Sequence, residues 1–187
     1  MNNMKRIGVA LVFLLVSNTV VFSQEWAVST NLVGYLNLGT LNVEASYAPL
    51  RHMSIHASAK YNPFTFRSPK GTQFQERQQS YAVGLRWWPW HIQSGWWVAA
   101  KLQYQEYNIG GIISSRTEEG DRTGLGLTAG YTYMLSHKVN LEFGVGGWAG
   151  YKWYTVYSCP KCGMTEEEGS KAFILPNDLI VSIVYVF

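Results

Sequence analysis

The sequence predicts an all-β protein: an eight-stranded antiparallel up-and-down β-barrel that spans a membrane around a filled polar interior. Three observations carry this expectation. The stretch Asn177 to Phe187 is a strand-forming run. Leu179, Val181, Ile183, Tyr185 and Phe187 share one face of it, because side chains alternate every second residue. It stops on an aromatic residue, as bacterial outer-membrane barrels typically do. The first residues read as a secretory leader, with basic Lys5 and Arg6, an apolar run from Ile7 to Val16, and a cleavage site at Val21-Phe22-Ser23. Finally, Trp and Tyr are abundant, at 8 and 12 residues. That is unusual for a soluble core and natural for a barrel with aromatic belts.

The expected organisation is a signal peptide over residues 1–23 and one domain over 24–187, the length of a single unit. The apolar leader is shorter than the ~20 residues that a membrane-spanning helix needs. No cysteine lies near the cleavage point, so a lipoprotein anchor is not expected. Lys5 and Arg6 supply two of the net +3 charges, and no basic stripe or nucleic-acid motif follows. The expected location is therefore the bacterial outer membrane. The expected contacts are outer-membrane lipid and no nucleic acid, with the chain a monomer.

Eight strands are expected, joined by alternating short and long connections. The first runs over 26–36. The second and third, 41–47 and 53–61, alternate apolar and polar residues and flank a turn at Pro49 to His52, where Pro presets φ. A polar loop (67–76) leads to a fourth strand over 78–88, and an aromatic turn (89–94) to a fifth over 96–107. The loop 108–121 is rich in Gly and charge and precedes a sixth strand over 122–133. A turn at 135–138 leads to a long seventh strand over 139–157. The polar loop 158–171 precedes the last strand. Short turns and both termini share one side, expected to be periplasmic; the long loops share the other.

Alternation divides the strands into two faces. Val43, Ala45, Ile55, Ala57, Val83, Leu85, Leu102, Leu125, Leu127 and Val145 fall on one, expected to meet lipid. Glu44, His56, Lys60, Arg86, Lys101, Glu142 and Lys152 fall on the other, inside the lumen. Closure is required because lipid cannot satisfy an unpaired strand edge. Inward Gly124, Gly126, Gly130, Gly144, Gly146 and Gly150 permit tight curvature and leave room for Trp148 and long basic side chains. Charges in so narrow a lumen must be paired or wet. The expected arrangement is a packed salt-bridge network; the sharper alternative is a narrow ion pathway gated by Glu142 with Lys101 or Lys152.

Glu44, His56 and Ser58 form the most enzyme-like set, an acid, a histidine and a hydroxyl on neighbouring strands. The set points away from a lipid substrate, so a core histidine is expected there and no catalytic residue is assigned. Cys159 and Cys162 are the only cysteines. Their spacing gives half a zinc ribbon with no second pair, so a disulfide is expected in an oxidising compartment, and no cofactor. A metal site completed by Glu166, Glu167 or Glu168 or by a second chain is the alternative.

Gly84-Leu85-Arg86-Trp87-Trp88-Pro89, the segment from Gly130-Tyr131 through Leu141-Glu142 to Gly146-Gly147, and Tyr157 to Gly163 before a strand ending in Tyr185-Val186-Phe187 resemble small outer-membrane barrels of Bacteroidetes-type bacteria. That family is catalogued as a domain of unknown function. The resemblance covers nearly all of residues 24–187 and is most specific in the paired-cysteine segment. Leu175-Pro176-Asn177 departs from its pattern, which has a Gly-Pro type lead into the last strand. The resemblance implies a link to fimbriae or adhesion and assigns no catalytic residues. The expected function is non-enzymatic: a barrel presenting loops 67–76, 108–121 and 158–171 to a surface protein or fimbrial partner, or stabilising the envelope. The alternatives are a lipid-modifying enzyme using His56 and Ser58, and the narrow channel.

Overall fold

The computed structural model describes residues 25–67, 73–111, 116–158 and 164–187. Among the described residues, nine strands form one antiparallel sheet that closes on itself. They are β1 (Trp26–Asn31), β2 (Leu41–Leu50), β3 (Met53–Asn62), β4 (Thr65–Arg67), β5 (Gln73–Trp87), β6 (Gly95–Gly110), β7 (Thr117–Met134), β8 (Val139–Tyr157) and β9 (Thr165–Val186). A single helical turn, α1 (Leu32–Leu36), follows β1. Both β3 and β4 pair with β5, so β4 continues β3 beyond Pro63-Phe64 and the ring counts eight strands. β1 pairs with β9 and seals it.

The ring is strongly staggered. Register partners lead from Val28 through Ala45, Ala57, Val83, Leu102, Leu125 and Ala149 to Ile174, yet Val28 itself pairs with Tyr185 on the same β9. Discounting one extra β9 residue at the irregularity opposite Gly147, the stagger is about ten residues, which tilts the strands as closed sheets require. Pro176 sits at that irregularity, where its missing N–H interrupts no ladder bond.

Strand assignments match the expected order, with differences at the ends. The first strand stops at Asn31, short of the expected 36, because the Asn31 side chain accepts from Val33 N–H at 3.1 Å and caps α1. Asn42 closes this corner by donating to Asn31 C=O at 2.9 Å and accepting from Asn31 N–H at 2.6 Å. The long connections are shorter than expected, because β5, β6, β7 and β9 run into segments read as loop. β9 has 22 residues and begins at Thr165, not beyond Lys171. The tips of the three expected loops (68–72, 112–115 and 159–163) lie outside the described residues, as do Cys159, Cys162 and the leader.

The ring is therefore uneven. β1, β2 and β3 have 6, 10 and 10 residues, whereas β6 to β9 have 16 to 22. One wall rises well past the other. Burial alternates with the pleat throughout, and its sense is that of the sequence. Val83, Leu85, Leu102, Leu125, Leu127 and Val145 are exposed on the outside, while Ser46, Ser54, His56, Arg86, Gln103, Thr128 and Glu142 are buried within. Exposed Trp26, Trp87, Trp96, Tyr131, Tyr133, Tyr185 and Phe187 ring the short-turn end of this apolar band. Exposed Tyr61, Tyr81, Tyr104, Tyr151 and Trp153 ring its other end.

Candidate functional site: the layered lumen

The floor of the lumen is aromatic. Among the described residues, Trp88 and Trp97 are the two largest fully buried side chains, with ring centroids 6.3 Å apart. The turn between β5 and β6 places them: it folds back under the ring and buries Gln93, whose φ of 58° sharpens the bend. Asn140 Nδ2 donates to Gln93 C=O at 2.8 Å, and Trp88 Nε1 donates to Ser54 Oγ at 3.0 Å. Gly130 and Gly144 make the indole of Trp97 fit; a Cβ on Gly130 would lie 2.5 Å from it. The inward glycines thus serve Trp97 directly. Gly126 does the same for Lys101, whose Cε would lie 2.7 Å from a Cβ there.

Above the floor sits Arg86, 4% exposed, between two carboxylates. Its guanidinium donates to Glu142 at 3.0 Å and to Glu44 at 2.9 Å, and stacks 4.1 Å from the Trp97 ring. Thr132 Oγ1 donates to Glu142 at 3.3 Å. The planar fork of Arg suits this two-carboxylate clamp as a Lys ammonium would not. His56 lies beside it, buried against Gly84, with no partner for Nδ1.

The next layer holds Lys60 and Lys101 around Asp178, at 3.7 and 2.5 Å. The Lys101 contact is ionic; Asp178 Oδ2 receives no hydrogen bond of good angle. A polar cavity of about 50 Å³ lies between the two charge layers. That is room for a water molecule or two, not for a continuous aqueous path.

The uppermost layer belongs to the tall wall. Lys152 is ion-paired with Glu118, which also accepts from Tyr107 OH at 2.7 Å. Burial pushes the Glu118 carboxyl up, but hydrogen bonds from Lys152 and Tyr107 and the Lys152 charge outweigh it and hold the group below its ordinary range. Arg122 donates to Gln105 at 3.0 Å and stacks 4.4 Å from Tyr107 and 5.5 Å from Trp148. Trp148 packs edge-on against Phe173. A recess of about 980 Å³ reaches from the end of β3 to this wall, bordered by Asn62, Gln78, Tyr107, Gly120, Tyr154, Gly169 and the residues flanking them.

The seven lumen residues named from the sequence fall into three groups. Glu44, Arg86, Glu142 and His56 come together, Lys60 and Lys101 form the adjacent layer, and Lys152 stands apart. The expected gate pairing of Glu142 with Lys101 or Lys152 is corrected: Glu142 is engaged by Arg86, because β8 brings it level with Thr132 and the Arg86 fork, not with either lysine. Glu44 is in register with Ser58 as expected, but among the described residues no hydrogen bond links Glu44, His56 and Ser58 into a relay. Sequence reasoning missed Asp178, Glu118, Arg122 and Lys171. The parity of Leu179 and Val181 already pointed Asp178 inward, and that of Gly124 pointed Arg122 inward. Glu118 and Lys171 were hidden because their strands were read as loop.

A family model described as a protein of unknown function, DUF3575, matches residues 9–187. The chain belongs to the DUF3575 family. No curated protein matches it. Within this DUF3575 chain, the match spans every layer of the lumen, both aromatic rings and the tall wall.

Proposed function

We propose that this chain is a transmembrane barrel of the bacterial outer membrane, monomeric and without a catalytic task. Its role is to hold the tall β5–β9 wall and its hairpins outside the bilayer as a binding surface for a surface protein, a fimbrial component being the class that the family resemblance suggests. The observation that carries this reading is the height mismatch. About 9–11 residues per strand suffice to cross a bilayer, and β6 to β9 each have 16 or more. The surplus lies beyond the ring of Tyr81, Tyr104 and Tyr151, where outward side chains turn to Glu106 and Asp121.

Two further observations support the reading against its alternatives. The lumen is shut by Trp88 and Trp97 and bridged by Arg86, which disfavours a channel. The histidine faces the lumen without a relay, which disfavours a lipid-modifying enzyme. In this reading the leader directs export, and Cys159 and Cys162 staple the β8–β9 tip by a disulfide.

The test is direct. The protein is expected in the outer-membrane fraction, with a heat-modifiable band and no conductance steps in planar bilayers. Replacing tips 112–115 and 159–163 by short Gly-Ser turns is expected to keep the heat-modifiable band and to abolish cross-linking to surface-fibre protein in cells. Recovery of the chain as a water-soluble monomer without detergent would overturn the reading.

A further inference from the structure

The upper lumen carries a charge pattern that ring closure does not require. Arg122, Lys152 and Lys171 are register partners on β7, β8 and β9, all on the inward parity. Like charges set side by side across a sheet repel. One carboxylate, Glu118, meets Lys152; among the described residues no ion pair joins Arg122 or Lys171 to a carboxylate. Arg122 stacks on Tyr107 and Trp148, and Lys171 lies 4.8 Å from the Tyr154 ring. The nearby acids are otherwise engaged, Glu167 by Tyr154 OH at 2.6 Å and Glu76 by Asn37 Nδ2 at 3.0 Å.

The row directly above leaves space. It reads Tyr107, Gly120, Tyr154 and Gly169, so two of its four positions carry no side chain. The row also ends at a break in strand pairing, beside which α1 packs against β9. β1 pairs with β9 only over residues 182–186. The Asn31 side chain holds the backbone of Leu179 and Val181. From Lys171 to Leu175, β9 has a register partner on the β8 side alone, Pro176 at the irregularity has none, and Lys171, Ala172, Ile174 and Pro176 are exposed. Pro176 and Lys171 blunt this edge against strand addition, so the break is a side opening and not a docking edge. Along β9, Pro176 and Lys171 lie 9 and 14 residues beyond Tyr185 of the lower aromatic ring, and about 9–11 residues suffice to cross a bilayer. The opening therefore sits at the height of lipid headgroups.

We propose that this side opening binds the phosphate-bearing headgroup of an outer-leaflet lipid. Lys171, Lys152 and Arg122 hold the phosphate, and Tyr154 supports the headgroup from the row above. Charge-assisted contacts of this kind discriminate phosphate from a neutral surface, and Arg and Lys are the side chains that make them. The inference rests on the membrane reading above.

The test uses the full chain folded in detergent micelles and in liposomes, with bound lipid read by native mass spectrometry. The probes are a phosphorylated glycolipid, phosphatidylcholine, and a water-soluble sugar phosphate. The wild-type chain is expected to retain the phosphorylated glycolipid roughly tenfold over phosphatidylcholine, and Lys171→Gln with Arg122→Gln to remove that preference. Lys171→Arg is expected to keep it. Equal retention of the two lipids, or an unchanged preference in the double variant, would overturn the proposal. Equal competition by the soluble sugar phosphate would overturn the lipid assignment. A heat-modifiable band in liposomes scores the membrane reading separately. If the double variant fails to give that band, Lys171→Glu alone, at an exposed position, replaces it.

Discussion

The lower and upper halves of the lumen solve the same problem in opposite ways. At the floor, one cation meets two carboxylates, and Arg86 is enclosed by tryptophan. In the upper half, three cations share one ion-paired carboxylate, and aromatic faces stand in for the missing acids. A fully enclosed charge must be matched, because desolvation is repaid only by good partners. Cations next to an opening keep access to water and to ligands, so they tolerate being unmatched. The difference separates an enclosed, charge-matched clamp from a row of cations held by aromatic faces and a single carboxylate.

The largest test of this contrast is Arg86→Met. It leaves Glu44 and Glu142 facing each other, and is expected to cost about 3–5 kcal/mol in urea unfolding of the reconstituted protein. Adding Glu44→Gln and Glu142→Gln should restore most of the loss. A single variant as stable as its parent would mean that the clamp is not the enclosed, charge-matched one described here. Asp178→Asn comes next. It strands Lys60 and Lys101 together and should cost about 2–3 kcal/mol by the same assay.

Gly130→Val probes the floor without touching charge. Its added atoms meet the Trp97 indole and Phe143 C=O, and a loss of about 1–3 kcal/mol is expected, with a changed tryptophan emission spectrum.

Acid should distinguish the two halves again. Glu118 titrates below its ordinary value, so its contribution is present above the unfolded carboxylate pKa of ~4.3 and is lost as pH falls through the lower folded value. Below that value, the Lys152–Glu118 contact is expected to open while the ring stays closed. Faster amide exchange at the ends of β7 and β8, without loss of the heat-modifiable band, would register this. The smallest effect is expected for Lys171→Gln, which should change unfolding stability by no more than ~0.5 kcal/mol. A large loss there would make the upper row structural and erase the contrast.

Much of this was legible from local pattern. The inward set Glu44, His56, Lys60, Arg86, Lys101, Glu142 and Lys152 follows from parity alone, since a strand's side chains must alternate. Parity says which wall a residue faces and not what it meets. Glu142 meets Arg86, 56 residues away in sequence, and not the lysines, because partners depend on register between distant strands. The extra lengths of β7 and β9 were hidden as well. Thr117-Glu118-Glu119-Gly120 and Glu166-Glu167-Glu168-Gly169 read as solvated loop, and pairing with neighbouring strands overrode that composition.

The sequence alone determined an alternating, aromatic-rich chain with a greasy face and an ionisable one, because pleat geometry is local. Only the closed tertiary structure decided that β9 would carry Asp178 to two lysines, and that three cations would stand in one row beside a break in strand pairing. Those outcomes depend on stagger and on unequal strand heights, and both are set by pairing across the whole ring.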